Sequence, residues 1–351
     1  MAAGRVFLAR ETIHLEFISK CFIPEEQKIK IFLKILRLLL GMIMIVLLCA
    51  MVAGHIRDRR AFARASSDFP RLGSLIDIGG YHIHLYCTGQ GTQTVVLDSE
   101  FAGSVWEWRA IQPELSRNAR VCSFDRPGLG WSDPSPLPRT AQNNARELHT
   151  ALVNAGIAAP YVIVGHSISG LDALVFNREF HNDVSAVVLV DSVHPDWVAT
   201  STTPGQMRIF GFINAIGSTG LLRFLGFCGK APAAHGPRTC AQYVRANYLQ
   251  VAEGPQSAAQ AREAMQLGEK PLLVIARDSE FMMKSAVKPQ QLEDERKWEL
   301  WQHALAAIST SSQFIVAANC GHEIPLDQPQ VVVKAIRGLL PRLSDNSQLM
   351  K

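Results

Sequence analysis

Charge is scarce in this chain: only 19% of its 351 residues are Asp, Glu, Lys or Arg, and the formal net charge is +4. A dedicated nucleic-acid binder would carry a strongly basic domain, which excludes that class. Hydrophobic residues make up 48% of the chain, and with so little net charge a disordered polymer is excluded too. Seven cysteines are too few for a disulfide scaffold at this length. Internal repeats and low-complexity tracts are missing, and nothing in the sequence asks for a metal or an organic cofactor. The small positive charge is also unevenly placed. Residues 1–64 carry 11 Lys/Arg against 5 Asp/Glu, and the other 287 carry 24 against 26.

What is present at the N-terminal end is a run of 19 uncharged residues from Leu38 to Ile56. As a helix it covers about 28 Å, close to the ~30 Å of a bilayer's hydrocarbon layer. Lys28, Lys30, Lys34 and Arg37 precede it; Arg57, Arg59, Arg60 and Arg64 follow. The expected organisation is a basic segment over 1–37, a transmembrane signal-anchor helix over 38–56 and a linker over 57–72. A cleaved signal peptide is the rival, with Val52-Ala53-Gly54 as its cleavage region, but its leading segment would be unusually long. Basic residues on both sides leave the orientation weakly determined. The expectation is a single-pass protein with its main domain on the non-cytoplasmic side.

Beyond the linker, Ser74-Leu-Ile-Asp-Ile78 and Tyr81-His-Ile-His-Leu-Tyr86 flank Gly79-Gly80, which reads as a β-hairpin. Short apolar runs then alternate with helix-length segments. The runs begin at Thr94, Val121, Tyr161, Ala186, Leu272 and Phe314; the helical segments lie near 106–117, 140–156, 168–180, 290–309 and 328–340. Runs without polar alternation belong to strands buried on both faces, so the fold class is α/β, a mostly parallel sheet with helices on both sides. The domain is expected over 73–345, with a short tail over 346–351. An insertion over about 193–268 interrupts the alternation. Its apolar stretches at Met207–Gly217 and Leu221–Phe227 read either as self-burying helices or as a cap over an apolar ligand. Cys87, Cys122 and Cys320 fall in or beside strand-like runs and read as buried thiols. Cys228 and Cys240, 12 apart in a loop-rich region, form a plausible disulfide in an oxidising compartment.

The chemistry concentrates in Tyr161-Val-Ile-Val-Gly-His-Ser-Ile-Ser-Gly170, an apolar strand entering a small-residue turn and then a helix. Such a turn pushes a serine hydroxyl over the strand edge, and the helix start offers amides to a developing oxyanion. This stretch resembles the nucleophile elbow of the α/β-hydrolase family, with Ser167 as nucleophile and Ser169 standing where the pattern's second glycine belongs. The resemblance runs from about residue 74 to 340. It implies a catalytic base at His322, in the loop Asn319-Cys-Gly-His-Glu-Ile-Pro after the last strand. It places the triad's acid after the sixth or seventh strand. Asp191 is preferred, because it ends the run Val187-Val-Leu-Val; Asp278 is the alternative and Glu280 stands behind it. Oxyanion donors by position are the amides of Phe101 and Ile168. The block Val121-Cys-Ser-Phe-Asp-Arg-Pro-Gly-Leu-Gly-Trp-Ser-Asp133 also matches the family, with Asp125 and Arg126 expected to tie loops together.

One departure bears on function. In Leu97-Asp-Ser-Glu-Phe-Ala-Gly-Ser104, Glu100 occupies a position where the family carries glycine, and a carboxylate near an oxyanion opposes catalysis. The leading expectation is a membrane-anchored serine hydrolase cleaving a small, apolar carboxylic ester through an acyl-enzyme. Acyl transfer and peroxidase-like chemistry use the same triad. A catalytically silent binding protein on the same fold is the alternative from a different class.

Overall fold

The computed structural model describes residues 24–200, 203–228 and 237–349; Cys21, most of the basic N-terminal segment and the last residues of the tail lie outside them. The chain divides into two compact units, residues 1–53 and 54–351. Helix α1, Glu25–Asp68, contains the apolar run and is, among the described residues, the one helix long and apolar enough to cross a membrane.

The larger unit is built on an eight-stranded sheet. Its elements are β1 (Ser74–Asp77), β2 (His82–Thr88), β3 (Thr94–Asp98), α2 (Gln112–Leu115), β4 (Arg120–Phe124), α3 (Ala141–Asn154), β5 (Tyr161–His166), α4 (Ser169–Glu179) and β6 (Val184–Val190). The insertion follows with α5 (Pro195–Thr200), α6 (Pro204–Gly217), α7 (Leu221–Phe224), α8 (Cys240–Ala252) and α9 (Gly254–Glu263). The chain returns through β7 (Leu272–Arg277), α10 (Ser279–Lys284), α11 (Pro289–Ala306), β8 (Ser312–Ala317), α12 (Ile324–Asp327) and α13 (Pro329–Leu349).

Strand order is β1-β2-β4-β3-β5-β6-β7-β8, with β2 antiparallel to both of its neighbours, β1 and β4, and every other pair parallel. The hairpin turns where Gly79 and Gly80 adopt φ of 113° and 95°, while the Asp77 carboxylate accepts both of their amides. The apolar strand runs are explained by two cores. In β5, Tyr161 and Ile163 face one core and Val162 and Val164 the other; in β6, Val187 and Leu189 oppose Ala186, Val188 and Val190. Helices α3 and α4 cover the first face, and α2 and α13 the second.

Two expectations are corrected. Residues 57–68, read as part of a linker, are helical. Alanine and arginine are strong helix formers, and this stretch is anchored by packing. Asp58 is buried, paired with Arg223 at 3.1 Å and accepting the Cys240 amide at 2.9 Å, and Phe62 meets the Trp131 ring edge-on. Cys87 and Cys122, read as free thiols, form a disulfide. They are direct partners in the β2–β4 ladder, which brings residues 35 apart in sequence to a Cα separation of 4.0 Å. Cys228 and Cys240 are also bridged, and Cys320 is a buried free thiol.

Candidate active site

Four non-glycine residues among those described adopt positive φ: Ala102, Ser167, Asp191 and Asn319. They lie at or just beyond the C-terminal ends of β3, β5, β6 and β8, and such backbone costs of about 1–3 kcal/mol each gather where function holds the chain in place. Open α/β sheets bind ligands along this edge.

Ser167 sits between β5 and α4 with φ 58°. The turn is tight enough that a Cβ on Gly165 would lie 2.5 Å from the Ser169 carbonyl oxygen, and one on Gly170 2.4 Å from the Ser192 Cβ. Ser169 is tolerated because its hydroxyl is used: it donates within 2.9 Å of the carbonyls of Asp98 and His166. Gly165 and Gly170 are the glycines this turn requires.

His322 arrives from the loop after β8. Its Nε2 lies 2.8 Å from the Ser167 Oγ, and its Nδ1 2.5 Å from Asp191 Oδ2. Asp191 is completely buried and takes further bonds from the Arg277 amide at 3.0 Å and the Trp298 indole at 2.9 Å. Burial alone would raise its pKa; the hydrogen bond and charge of His322, with the Arg277 guanidinium, hold it below the ordinary carboxylate range. Asp278 does not reach His322. It caps α10 by accepting the Phe281 amide, and its second oxygen accepts the Asn319 amide, so it shapes the loop before the histidine. Glu280 pairs with Lys284 on the exposed side of α10.

Trp298 and Arg277 are site residues that the sequence reading passed over. Arg277 stacks over the Trp298 ring at 4.2 Å and forks onto Glu295, while Trp298 meets His322 edge-on. A signal existed: Glu295, Trp298, Gln302 and Leu305 recur on one buried face of α11.

Glu107 forms a second buried connection. One of its oxygens lies 2.7 Å from His166 Nδ1, and the other accepts the Glu100 amide at 2.9 Å. His166 Nε2 in turn lies 3.0 Å from the His322 carbonyl oxygen. Both ring nitrogens therefore face acceptors, the arrangement of an imidazolium. Burial lowers the His166 pKa, but the adjacent Glu107 carboxylate outweighs it, and with Glu100 and the His322 carbonyl pushes the pKa up to about 9. This pair thus ties the elbow to the Glu100–Phe101 loop and to the histidine loop. Arg126 adds a brace, donating to the carbonyls of Ser99 and Glu100 and to Asp98. Asp125 accepts the amides of Val105 and Trp131, so both residues tie loops together.

Glu100 does not act on this edge unopposed. Its charge adds to that of Glu107 in favouring the protonated form of His166, and it partly opposes the burial that lowers the Arg238 pKa to about 10; the Arg238 guanidinium donates to the Ala102 carbonyl at 2.6 Å. Phe101 and Ile168 line a cavity of about 650 Å³ together with Ser167 and His322. The rest of the wall is mainly apolar, with Val193, Trp197, Val198 and Phe210 among its side chains. The amides of Phe101 and Ile168 take no hydrogen-bond partner among the described residues.

Comparison with known proteins agrees with this architecture. The profile of the alpha/beta hydrolase family matches residues 91–335. Protein YbdG of Bacillus subtilis is 26% identical over 157 residues, 44% of this chain and 48% of YbdG, so the chain spans about half the length of that relative. YqjL of the same organism is 22% identical over 71% of this chain and 83% of its own. Among solved structures, a thermophilic esterase from Thermogutta terrifontis superposes with a TM-score of 0.56 at 22% identity, covering 77% of this chain and 98% of that one. With the matched profile spanning strands β3 to β8, the serine turn and the histidine loop, the chain belongs to the alpha/beta hydrolase family.

Proposed function

We propose that the protein is a serine hydrolase that cleaves an apolar carboxylic ester through an acyl-enzyme, and that the apolar run 38–56 anchors it in a membrane. One observation carries the catalytic reading: the unbroken hydrogen-bonded line Ser167–His322–Asp191 at the floor of an apolar cavity. In this reading the Ser167 Oγ attacks the ester carbonyl carbon while its proton passes to His322 Nε2. Asp191, kept ionised, stabilises the imidazolium and fixes its tautomer. The Phe101 and Ile168 amides donate to the oxyanion, and the alcohol departs with the proton from His322. Water, deprotonated by His322, then attacks the acyl carbon; the carboxylate leaves and Ser167 recovers its proton. The charge of Glu100 is met by the buried Arg238 guanidinium, while that of His166 is matched by Glu107.

Two disulfides support a domain outside the cytoplasm, where oxidising conditions let them persist. The test of the reaction is a panel of acyl esters of increasing chain length. Wild type is expected to hydrolyse the apolar members, and Ser167→Ala to retain less than about a thousandth of that rate. Equal turnover by the two proteins would overturn the assignment.

A further inference from the structure

The cap carries a concentration of exposed apolar side chains that its own packing does not use. Ile209 and Phe212 project from α6, and Leu225 and Phe227 from the tip that follows α7, with 58–74% of each side chain's residue exposed. Scattered apolar residues are ordinary on a protein surface, but several large ones gathered on one short segment mark a docking site.

Where the tip lies identifies the occupant. Gly54 packs so closely on α7 that an added Cβ would fall 1.9 Å from the Gly220 carbonyl oxygen and 3.2 Å from the Phe224 Cβ. Arg57 lies over the Phe224 ring at 5.3 Å, and Asp58 joins Arg223 and the Cys240 amide. The Cys228–Cys240 disulfide fastens the far side of the tip to the start of α8. The tip is thus held beside residues 54–58, which complete the uncharged run and begin the basic stretch after it. If the run crosses a bilayer, chain continuity puts these residues at its surface. The charges agree: Arg57, Arg59, Arg60 and Arg64 are exposed, while Asp58, the acid among them, is buried in its pair with Arg223. Aromatic and aliphatic side chains beside arginines suit the interface of an anionic membrane. Helix α6 also connects this surface to the chemistry, because Gln206 and Phe210 are exposed on it and line the cavity above Ser167.

We propose that the edge formed by Ile209, Phe212, Leu225 and Phe227 docks into the interfacial layer of the bilayer, and that the cavity receives its ester from that layer. The substrate class is then a membrane-partitioned ester with a long acyl or alcohol chain. This rests on the anchored-hydrolase reading above, and the test separates the two.

The full chain is reconstituted into phosphatidylcholine vesicles containing about one-fifth phosphatidylserine. Phe212→Trp and Phe227→Trp each add a fluorophore, read as the difference from wild type. Bromine-labelled lipid is expected to quench the added emission at least about twofold while aqueous iodide leaves it, as for a ring in the interfacial layer. Quenching by iodide alone in a chain that floats with the vesicles overturns the docking and leaves the anchor standing. The same holds if the added rings are shielded from both quenchers by self-association of the chain. A full chain that does not float with vesicles overturns the anchor reading and the docking with it. In a second arm, the Phe212→Ser/Leu225→Ser/Phe227→Ser variant is expected to keep its turnover of a water-soluble short-chain ester within about twofold. It should lose about tenfold or more on a long-chain ester dissolved in the bilayer. Equal loss on both esters, or on neither, overturns the membrane route. Wild type inert towards both overturns the hydrolase reading, and with it the ester supply; the bromolipid result still decides docking.

Discussion

Replacing Glu107 by glutamine probes the buried pair behind the site. In the wild type both Glu107 oxygens are used, one by His166 and one by the Glu100 amide. Glutamine keeps an acceptor for the Glu100 amide and presents a donor to His166 Nδ1, which only the neutral imidazole can accept, so the charge facing His166 disappears and the pair becomes neutral. His166 is wholly buried and its pKa stands at about 9 against an ordinary 6.5. Taken with an ordinary value in the unfolded chain, that elevation contributes roughly 3 kcal/mol of stability. Because the folded-state pKa is the higher one, the contribution is complete below pH ~6.5 and is lost as pH rises through ~9. The groups that set it are Glu107, Glu100 and the His322 carbonyl. Thermal unfolding of the detergent-solubilised chain between about pH 6 and pH 10 should show wild type losing about 5–10 °C more than Glu107→Gln across that range. Turnover of a soluble ester by the variant should fall about tenfold in kcat with KM little changed, since the charge-assisted tether shared by the loops carrying Phe101 and His322 becomes a weaker, neutral one. An unchanged pH slope in the variant would refute the imidazolium assignment.

The choice of acid is tested by comparing Asp191→Asn with Asp278→Asn. The first should lower kcat about 10⁴-fold by disturbing the His322 tautomer, and the second should change it by no more than about threefold. Loss confined to the Asp278 variant would contradict the geometry. Peptide mapping without reduction should recover Cys87 and Cys122 in one cross-linked product, and Cys87→Ser/Cys122→Ser should cost about 3 kcal/mol in unfolding experiments. Free thiols at both positions would rule out that bridge.

Much of the fold was legible because a strand buried on both faces must be apolar throughout, as Val162–Val164 and Val187–Val190 are. The hairpin at Gly79-Gly80 was readable for the same local reason, a turn that needs positive φ. The candidate site was readable where it lies on strand ends: Ser167, Asp191 and His322 each follow an apolar run. Choosing between Asp191 and Asp278 required distances, because both occupy loops of the same sheet edge. Other features depend on pairings remote in sequence. Cys87 and Cys122 meet through strand register, and the helix over 57–68 is held by Arg223 and Cys240 of the cap. Glu107 gave no signal in sequence, since its partner His166 lies 59 residues away.

The central claim is that Ser167 is a nucleophile activated by His322. Labelling of the full-length protein with a fluorophosphonate probe tests it most directly. Wild type should incorporate one probe, mapped to Ser167, while Ser167→Ala incorporates none and His322→Ala labels at least about a hundredfold more slowly. An unlabelled wild type, or equal labelling of Ser167→Ala, would contradict the account.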